Sequence, residues 1–188
     1  MPTEIEAKLR VEDHEPFRVR LRECGARHVR DALEVNTFFD TPDRALRSRD
    51  MGLRLRRTRD VANDREEYIV TSKGPAAPGA LKHRDELEFA VSDADAATRL
   101  FDRLGYRPGI SFEKRRQSWE LDGCHVELDE LPQLGKFVEI EGPNEGVILR
   151  VRDKLGLTQQ PLEQKSYIAM VAALLEQRGS TSRALRFA

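Results

Sequence analysis

The feature that most constrains this chain is a period-two pattern in which like charges recur at alternate positions. Glu4 and Glu6, Arg54 and Arg56, Glu86 and Glu88, Lys114 and Arg116, Glu127 and Asp129, and Glu139 and Glu141 each form such a pair. Residues i and i+2 of a strand point the same way, about 7 Å apart at ~3.3 Å rise per residue. Apart from Arg115, between Lys114 and Arg116, the alternating residues are apolar: Ile5 and Ala7, Leu53 and Leu55, Leu87 and Phe89, Val126 and Leu128, Val138 and Ile140. The pattern therefore predicts strands with one charged and one apolar face.

An antiparallel sheet with one wet face alternates in this way, and that reading suffices for any single strand. It fits the set less well. A solvated face mixes signs, whereas here like charges are grouped, and gathered carboxylates repel one another unless a cation neutralises them. The sequence also offers four amphipathic helices, enough to cover the apolar face of a sheet from outside. The charged faces can then turn inward and line a closed barrel. Charge buried on that scale has to be paired with ions and with a polyanion.

Strands are expected at residues 3–11, 34–40, 52–58, 68–72, 86–91, 111–121, 125–131 and 136–141, with Asp122-Gly123 as a hairpin turn. Asp13 is placed to cap a first helix carrying Phe17, Leu21 and Cys24 on one face and stopping at Gly25. Asp93 caps a second, with Ala97, Leu100, Phe101 and Leu104 inward and Gly105 as its stop. Asn144 starts a third, with Val147, Val151 and Leu155, ended by Gly156. Pro161 or Leu162 starts the fourth, with Ile168, Val171, Leu174 and Leu175 on its apolar face. Residues 62–65 and 74–84 read as loops, with Lys82, His83 and Arg84 as surface. Residues 1–178 are expected to form one domain, and residues 179–188 a flexible polar tail.

Composition narrows the function. Of 188 residues 35% are charged, above the roughly 25% usual for globular chains, yet the net charge is only −1. A bulk basic field for nucleic acid is therefore not expected. Cys24 and Cys124 are the only cysteines and form no C-x-x-C, which argues against a thiolate zinc site. The first residues carry no apolar leader segment, and no apolar run approaches the ~20 residues of a membrane span. The expectation is a soluble cytoplasmic protein, monomer or homodimer, without nucleic-acid or membrane partners. Carboxylate pairs without His–Cys clusters suit Mg²⁺ or Mn²⁺. Arginine and lysine on facing strands suit phosphate oxygens. No P-loop sequence is present, so a polyphosphate would be held by strand side chains.

The run Glu4-Ile5-Glu6-Ala7-Lys8 resembles the E-x-E-x-K signature of the CYTH superfamily, which contains class IV adenylate cyclases, thiamine triphosphatases and inorganic tripolyphosphatases. Further blocks follow in that family's order: FFDT at 38–41, GLRLR at 52–56, TSKG at 71–74 and DELE at 85–88. EKRR at 113–116, VELDEL at 126–131, LGKFVEIE at 134–141 and KSY at 165–167 complete the series. The resemblance implies an α+β fold: an eight-stranded antiparallel β-barrel forming a triphosphate tunnel, with helices outside. It implies Glu4, Glu6, Asp129, Glu139 and Glu141 as metal ligands. Lys8, Arg54, Arg56, Lys73, Lys114, Arg116 and Lys165 would hold the triphosphate. Glu4, Glu6, Lys8 and Glu127 would carry catalysis, and Glu86 and Glu88 would complete the lumen behind them.

Thiamine-specific members carry a Trp two residues before the first arginine of the L-R-L-R block, where this chain has Gly52. Trp119 has the opposite strand parity to Lys114 and Arg116, and is expected under a helix. Divalent-metal-dependent triphosphate hydrolysis is thus the leading expectation. The stretch LGYRPGISFEKRRQSW resembles the bacterial cyclase-like branch, which keeps conversion of ATP to cyclic AMP as the alternative. A non-catalytic polyphosphate- or nucleotide-binding module is the third.

Overall fold

The computed structural model describes residues 3–77, 81–179 and 182–188; at residues 3, 4 and 82 it describes the backbone alone. The period-two segments form strands, and the strands close on themselves. Eight of them, β1 (Thr3–Val11), β2 (Arg27–Asp40), β3 (Gly52–Asp60), β4 (Glu66–Lys73), β5 (Lys82–Val91), β6 (Arg107–Leu121), β7 (Cys124–Leu131) and β8 (Gly135–Glu141), run in the spatial order β2-β3-β4-β5-β1-β8-β7-β6. Pairing of β2 with β6 completes the ring, and every neighbour in it is antiparallel. This is the expected mixed α+β fold with a closed eight-stranded sheet. Asp122 and Gly123, both at positive φ, make the β6–β7 hairpin as their dipeptide predicts.

Ring closure explains why the alternating strands are stable. On the outer face Ala7, Leu9, Val126, Leu128, Val138 and Ile140 form one core with α1 (Glu15–Glu23) and α4 (Glu145–Lys154). Trp119 belongs to this core, under the helices and away from the lumen. A second outer core joins Leu55 and Val70 to Ala97 and Phe101 of α3 (Ala94–Arg103). Each fully buried Val, Leu, Ile or Phe side chain here contributes roughly 1.5–3 kcal/mol.

Several sequence expectations are corrected. Asp13 is not the cap of α1: His14 occupies that position, and the Asp13 carboxylate accepts from the His14 backbone N–H and pairs with Lys136. Asp93 and Asn144 do cap their helices, each accepting from the N–H three residues on. In α3 only Ala97 and Phe101 are buried; Leu100 and Leu104 are 54% and 63% exposed, because the helix touches the sheet along a single i,i+4 stripe. A short helix, α2 (Ala45–Ser48), follows β2, and β5 starts at Lys82, where it pairs with Glu6, inside the predicted loop.

The last helix, α5 (Tyr167–Gln177), starts later than predicted and is capped by Ser166. Its Tyr167, Met170, Val171 and Leu175 pack on Phe112, Leu131 and Phe137. Those three share strand parity with Lys114, Asp129 and Glu139, so α5 stands across one end of the ring rather than on its outside. Ala184–Leu185 forms β9, parallel to β6, and Leu185 is buried in the same cluster. This part of the C-terminal segment is thus held against β6, where Leu185 completes the packing of α5.

Candidate active site

The inward faces of the strands enclose one cavity of about 1750 Å³. Its polar wall includes Glu6 and Lys8 from β1, Arg54 and Arg56 from β3, Lys73 from β4, Glu86 and Glu88 from β5, Lys114 and Arg116 from β6, Glu127 from β7, and Glu139 and Glu141 from β8. Strand parity puts them there: on β1, β3, β7 and β8 the alternate residues are held by a core, so the charged set faces in, and the ladders carry the same facing to β5 and β6. Lys165, just before the cap of α5, borders the same cavity. The side chain of Glu4 lies outside the described residues.

On one wall the ions are tightly coupled. Lys8 Nζ lies 3.1 Å from Glu139 Oε1 and 3.6 Å from Glu6 Oε1. Arg116 makes a fork to Asp129, at 2.7 and 2.6 Å, and its Nη2 also donates to Glu139 at 2.6 Å. Lys114 Nζ sits 3.1 Å from Glu34 and 3.3 Å from Asp129. Burial alone would raise the Glu139 carboxyl, but the charges of Lys8 and Arg116 outweigh it and hold the group well below the usual carboxylate range. Glu127 differs: burial dominates over Arg116, and its carboxyl is pushed up.

The opposite wall is looser. Arg54 donates to Thr71 Oγ1 at 3.0 Å and lies 3.7 Å from Glu88, which also faces Arg56 at 3.4 Å. Lys73 pairs with Glu86. Burial and the charge of neighbouring Arg56 both lower the Arg54 guanidinium from its ordinary value. Two close cations short of anions form a natural receptor for phosphate oxygens.

Carboxylate oxygens of Glu6, Glu139 and Glu141 lie within 4.8 Å of one another. Three hard oxygen donors at that spacing suit a divalent cation of the Mg²⁺ or Mn²⁺ type. Asp129 stands apart from this group. It is 0% exposed, and its oxygens are taken by Arg116, Lys114 and the Tyr167 hydroxyl, the last at 2.9 Å.

Sequence reasoning passed over Tyr167, Glu34 and Asn36. Tyr167 is the first residue of α5; the Lys8 ammonium stands 4.1 Å above its ring, and burial with the charge of Asp129 raises its hydroxyl well above its ordinary value. Glu34 and Asn36 lie on β2 with the parity of the lumen. Extending the alternation back from Phe38 would have found both, but neither forms a like-charge pair.

Comparisons with known proteins find similarity over most of the chain. The CYTH domain of the family matches residues 2–165. The adenylate cyclase CyaB of Aeromonas hydrophila is 30% identical over 175 residues, 87% of this chain and 86% of that protein. A putative adenylate cyclase of Methanocaldococcus jannaschii is 22% identical over 176 residues, 89% and 97% of the two chains. A solved Pyrococcus horikoshii structure superposes with a TM-score of 0.78 at 29% identity, covering 93% of this chain and 99% of its own. With the family's domain matched over most of its length and its charged strands gathered round one cavity, the chain belongs to the CYTH family.

Proposed function

We propose that this protein hydrolyses a triphosphate, either inorganic tripolyphosphate or a nucleoside triphosphate, in a divalent-metal-dependent reaction inside the ring. The observation that carries the reading is the juxtaposition, in one cavity, of the Glu6–Glu139–Glu141 oxygens with the cations of both walls. Glu6, Glu139 and Glu141, joined by Glu4 from the same face of β1, would hold Mg²⁺ or Mn²⁺. Such an ion supplies Lewis-acid polarisation of phosphoryl oxygens and a lowered pKa for bound water.

The chain's own residues do the rest. Arg54, Arg56, Lys73, Lys114, Arg116 and Lys165 bind and orient the triphosphate, and their charge offsets what builds up on the leaving phosphate. Lys8, gripped between Glu6 and Glu139, is fixed at the border between the carboxylate group and the phosphate cations. Glu127 borders the lumen and orients the attacking water, with Glu86 and Glu88 setting the positions of Lys73 and the two arginines. Asp129 serves as an anchor for Arg116 and Lys114 rather than as a metal ligand. Its saturated oxygens support this reassignment.

Cyclisation of ATP is the second reading, favoured by the Aeromonas relative named an adenylate cyclase. The deciding assay incubates the full chain with tripolyphosphate, ATP and thiamine triphosphate, each with Mg²⁺ and with Mn²⁺, and measures phosphate and cyclic AMP. Phosphate release that stops on chelation is expected. Cyclic AMP with pyrophosphate as the main products would replace hydrolysis by cyclisation. Binding without turnover of any substrate would leave a binding module. Glu6→Gln is expected to lower kcat more than it raises KM, with partial recovery at higher metal concentration.

A further inference from the structure

Asn36 is 1% exposed and borders the cavity, and neither its Oδ1 nor its Nδ2 has a hydrogen-bond partner among the described residues. Buried side-chain amides are otherwise almost always satisfied, and leaving one open carries a desolvation cost.

Its surroundings divide sharply. Across one ladder Asn36 faces Arg56, and across the other it faces Phe112. Two residues on, Phe38 stacks on Phe112 with centroids 5.9 Å apart and planes 20° from parallel. Beyond them the cavity wall continues as Met51, Ile110, Ile168 and Ala172. Asn36 thus marks the boundary between the phosphate-facing cations and an apolar, aromatic-edged shelf.

Phosphate oxygens only accept hydrogen bonds, and could satisfy the Nδ2 but not the Oδ1. A partner for both atoms has to donate and accept at adjacent positions. A sugar hydroxyl or the edge of a nucleobase does so, as in the two-bond pairing of Asn with adenine. A flat heterocycle also suits the shelf beside Phe38 and Phe112. We propose that Asn36 is a specificity-determining residue that reads the organic end of an esterified triphosphate, so that this chain prefers a nucleoside triphosphate to inorganic tripolyphosphate. The inference rests on the triphosphate reading above.

The test is calorimetric, with Mg²⁺ present and methylene-bridged analogues that resist turnover: those of tripolyphosphate, ATP, CTP and 2′,3′-dideoxyATP, titrated into full-length wild type and Asn36→Ala. Wild type should bind the ATP analogue more tightly than the tripolyphosphate analogue. Asn36→Ala should weaken the ATP analogue about 10- to 100-fold, and at least tenfold more than it weakens the tripolyphosphate analogue. A wild-type loss with the dideoxy analogue assigns the contact to the sugar; a loss with CTP assigns it to the base. A structural role for Asn36 would lower the melting temperature of the unliganded variant, whereas removing an unpaired buried amide should raise it. Equal weakening of both analogues, weakening of neither, or a lowered melting temperature with no change in selectivity would overturn the inference. Wild type that binds no analogue would overturn the triphosphate reading, and this one with it. Tripolyphosphate binding without any preference for ATP would overturn this one alone.

Discussion

The two halves of the ring contrast in how they treat buried charge. On β1, β8, β7 and β6 the lumen is largely satisfied from within, with Lys8, Lys114 and Arg116 each gripped by two or more carboxylates. On β2 and β3 the Arg54 Nε, the Arg56 Nε, the Thr58 Oγ1 and both amide atoms of Asn36 are buried without a hydrogen-bond partner among the described residues. The outer surfaces differ in parallel. The first half is sealed by α1 and α4, whereas β5, next to β4, leaves Leu87 and Phe89 57% and 51% exposed. One half is satisfied from within; on the proposed reading a ligand would complete the other. Preorganised charge of the first kind is what stabilises a transition state without reorganisation, while open groups of the second kind supply binding.

That contrast breaks most visibly if substitutions on the two halves have the same phenotype. Asp129→Ala should have the largest effect, since it strands Arg116, Lys114 and the Tyr167 hydroxyl in a buried site. A loss of about 3–5 kcal/mol of stability is expected, as for other broken buried ion pairs, read by urea denaturation. An unchanged midpoint would show that this wall is not held by its ion pairs. Next comes Arg56→Ala, which should weaken tripolyphosphate about 10- to 100-fold, the value of ~1.5–3 kcal/mol for charge-assisted hydrogen bonds. Its denaturation midpoint should move far less than that of Asp129→Ala, because its neighbour Arg54 is relieved of a like charge. Wild-type affinity in this variant would remove the phosphate role of the second wall. Thr58→Val should then raise the stability of the unliganded protein by roughly 1 kcal/mol, since it deletes a buried hydroxyl without a partner. A fall would mean that the hydroxyl is satisfied after all.

The smallest effect concerns His14, buried beside the first wall with its Nε2 3.0 Å from the Phe137 carbonyl oxygen. Burial lowers its pKa from 6.5, only partly offset by the Phe137 carbonyl. The unfolded chain therefore takes up the proton first as pH falls. The stability that neutral His14 confers is complete above pH 6.5 and is lost progressively below it, towards the folded-state pKa. His14→Gln should flatten this part of the pH–stability curve, and an unaltered slope would exclude His14 as its source.

Much of the architecture is legible in the sequence because most strands commit both faces, one to the cavity and one to a core. Glu139 has to face inward once Val138 and Ile140 are in the core, and the same logic places Arg54 and Glu6, whereas Lys114, between Glu113 and Arg115, is placed by its register opposite Glu34. Pairwise satisfaction is not legible. Glu127 and Asp129 form an ordinary E-x-D pair in sequence, yet the first borders the cavity and the second is consumed by Arg116, Lys114 and Tyr167. Only the register of β6 against β7, and the arrival of α5 from the far end of the chain, separate them. Asn36 carries no charge to advertise it, and Leu100 and Leu104 show that an apolar helix face can exceed the area available to cover it.

The position of β1 between β5 and β8 has a consequence for how the chain is made. In chain order β1 precedes both of its ring neighbours, and their paired segments, Lys82 to Asp85 and Lys136 to Glu141, emerge from the ribosome much later. Until then its edges are open to any passing strand. The charges at Glu4, Glu6, Lys8 and Arg10 interrupt what would otherwise be an apolar run, which discourages edge-to-edge aggregation of the nascent chain. Closure through β2 and β6 also joins distant segments, so the loop-closure entropy of the ring falls due late and folding should be slow for a chain of this size. Charges of β1 that line the cavity of the finished protein, Glu6 and Lys8, would thus also protect the unfinished one while it waits.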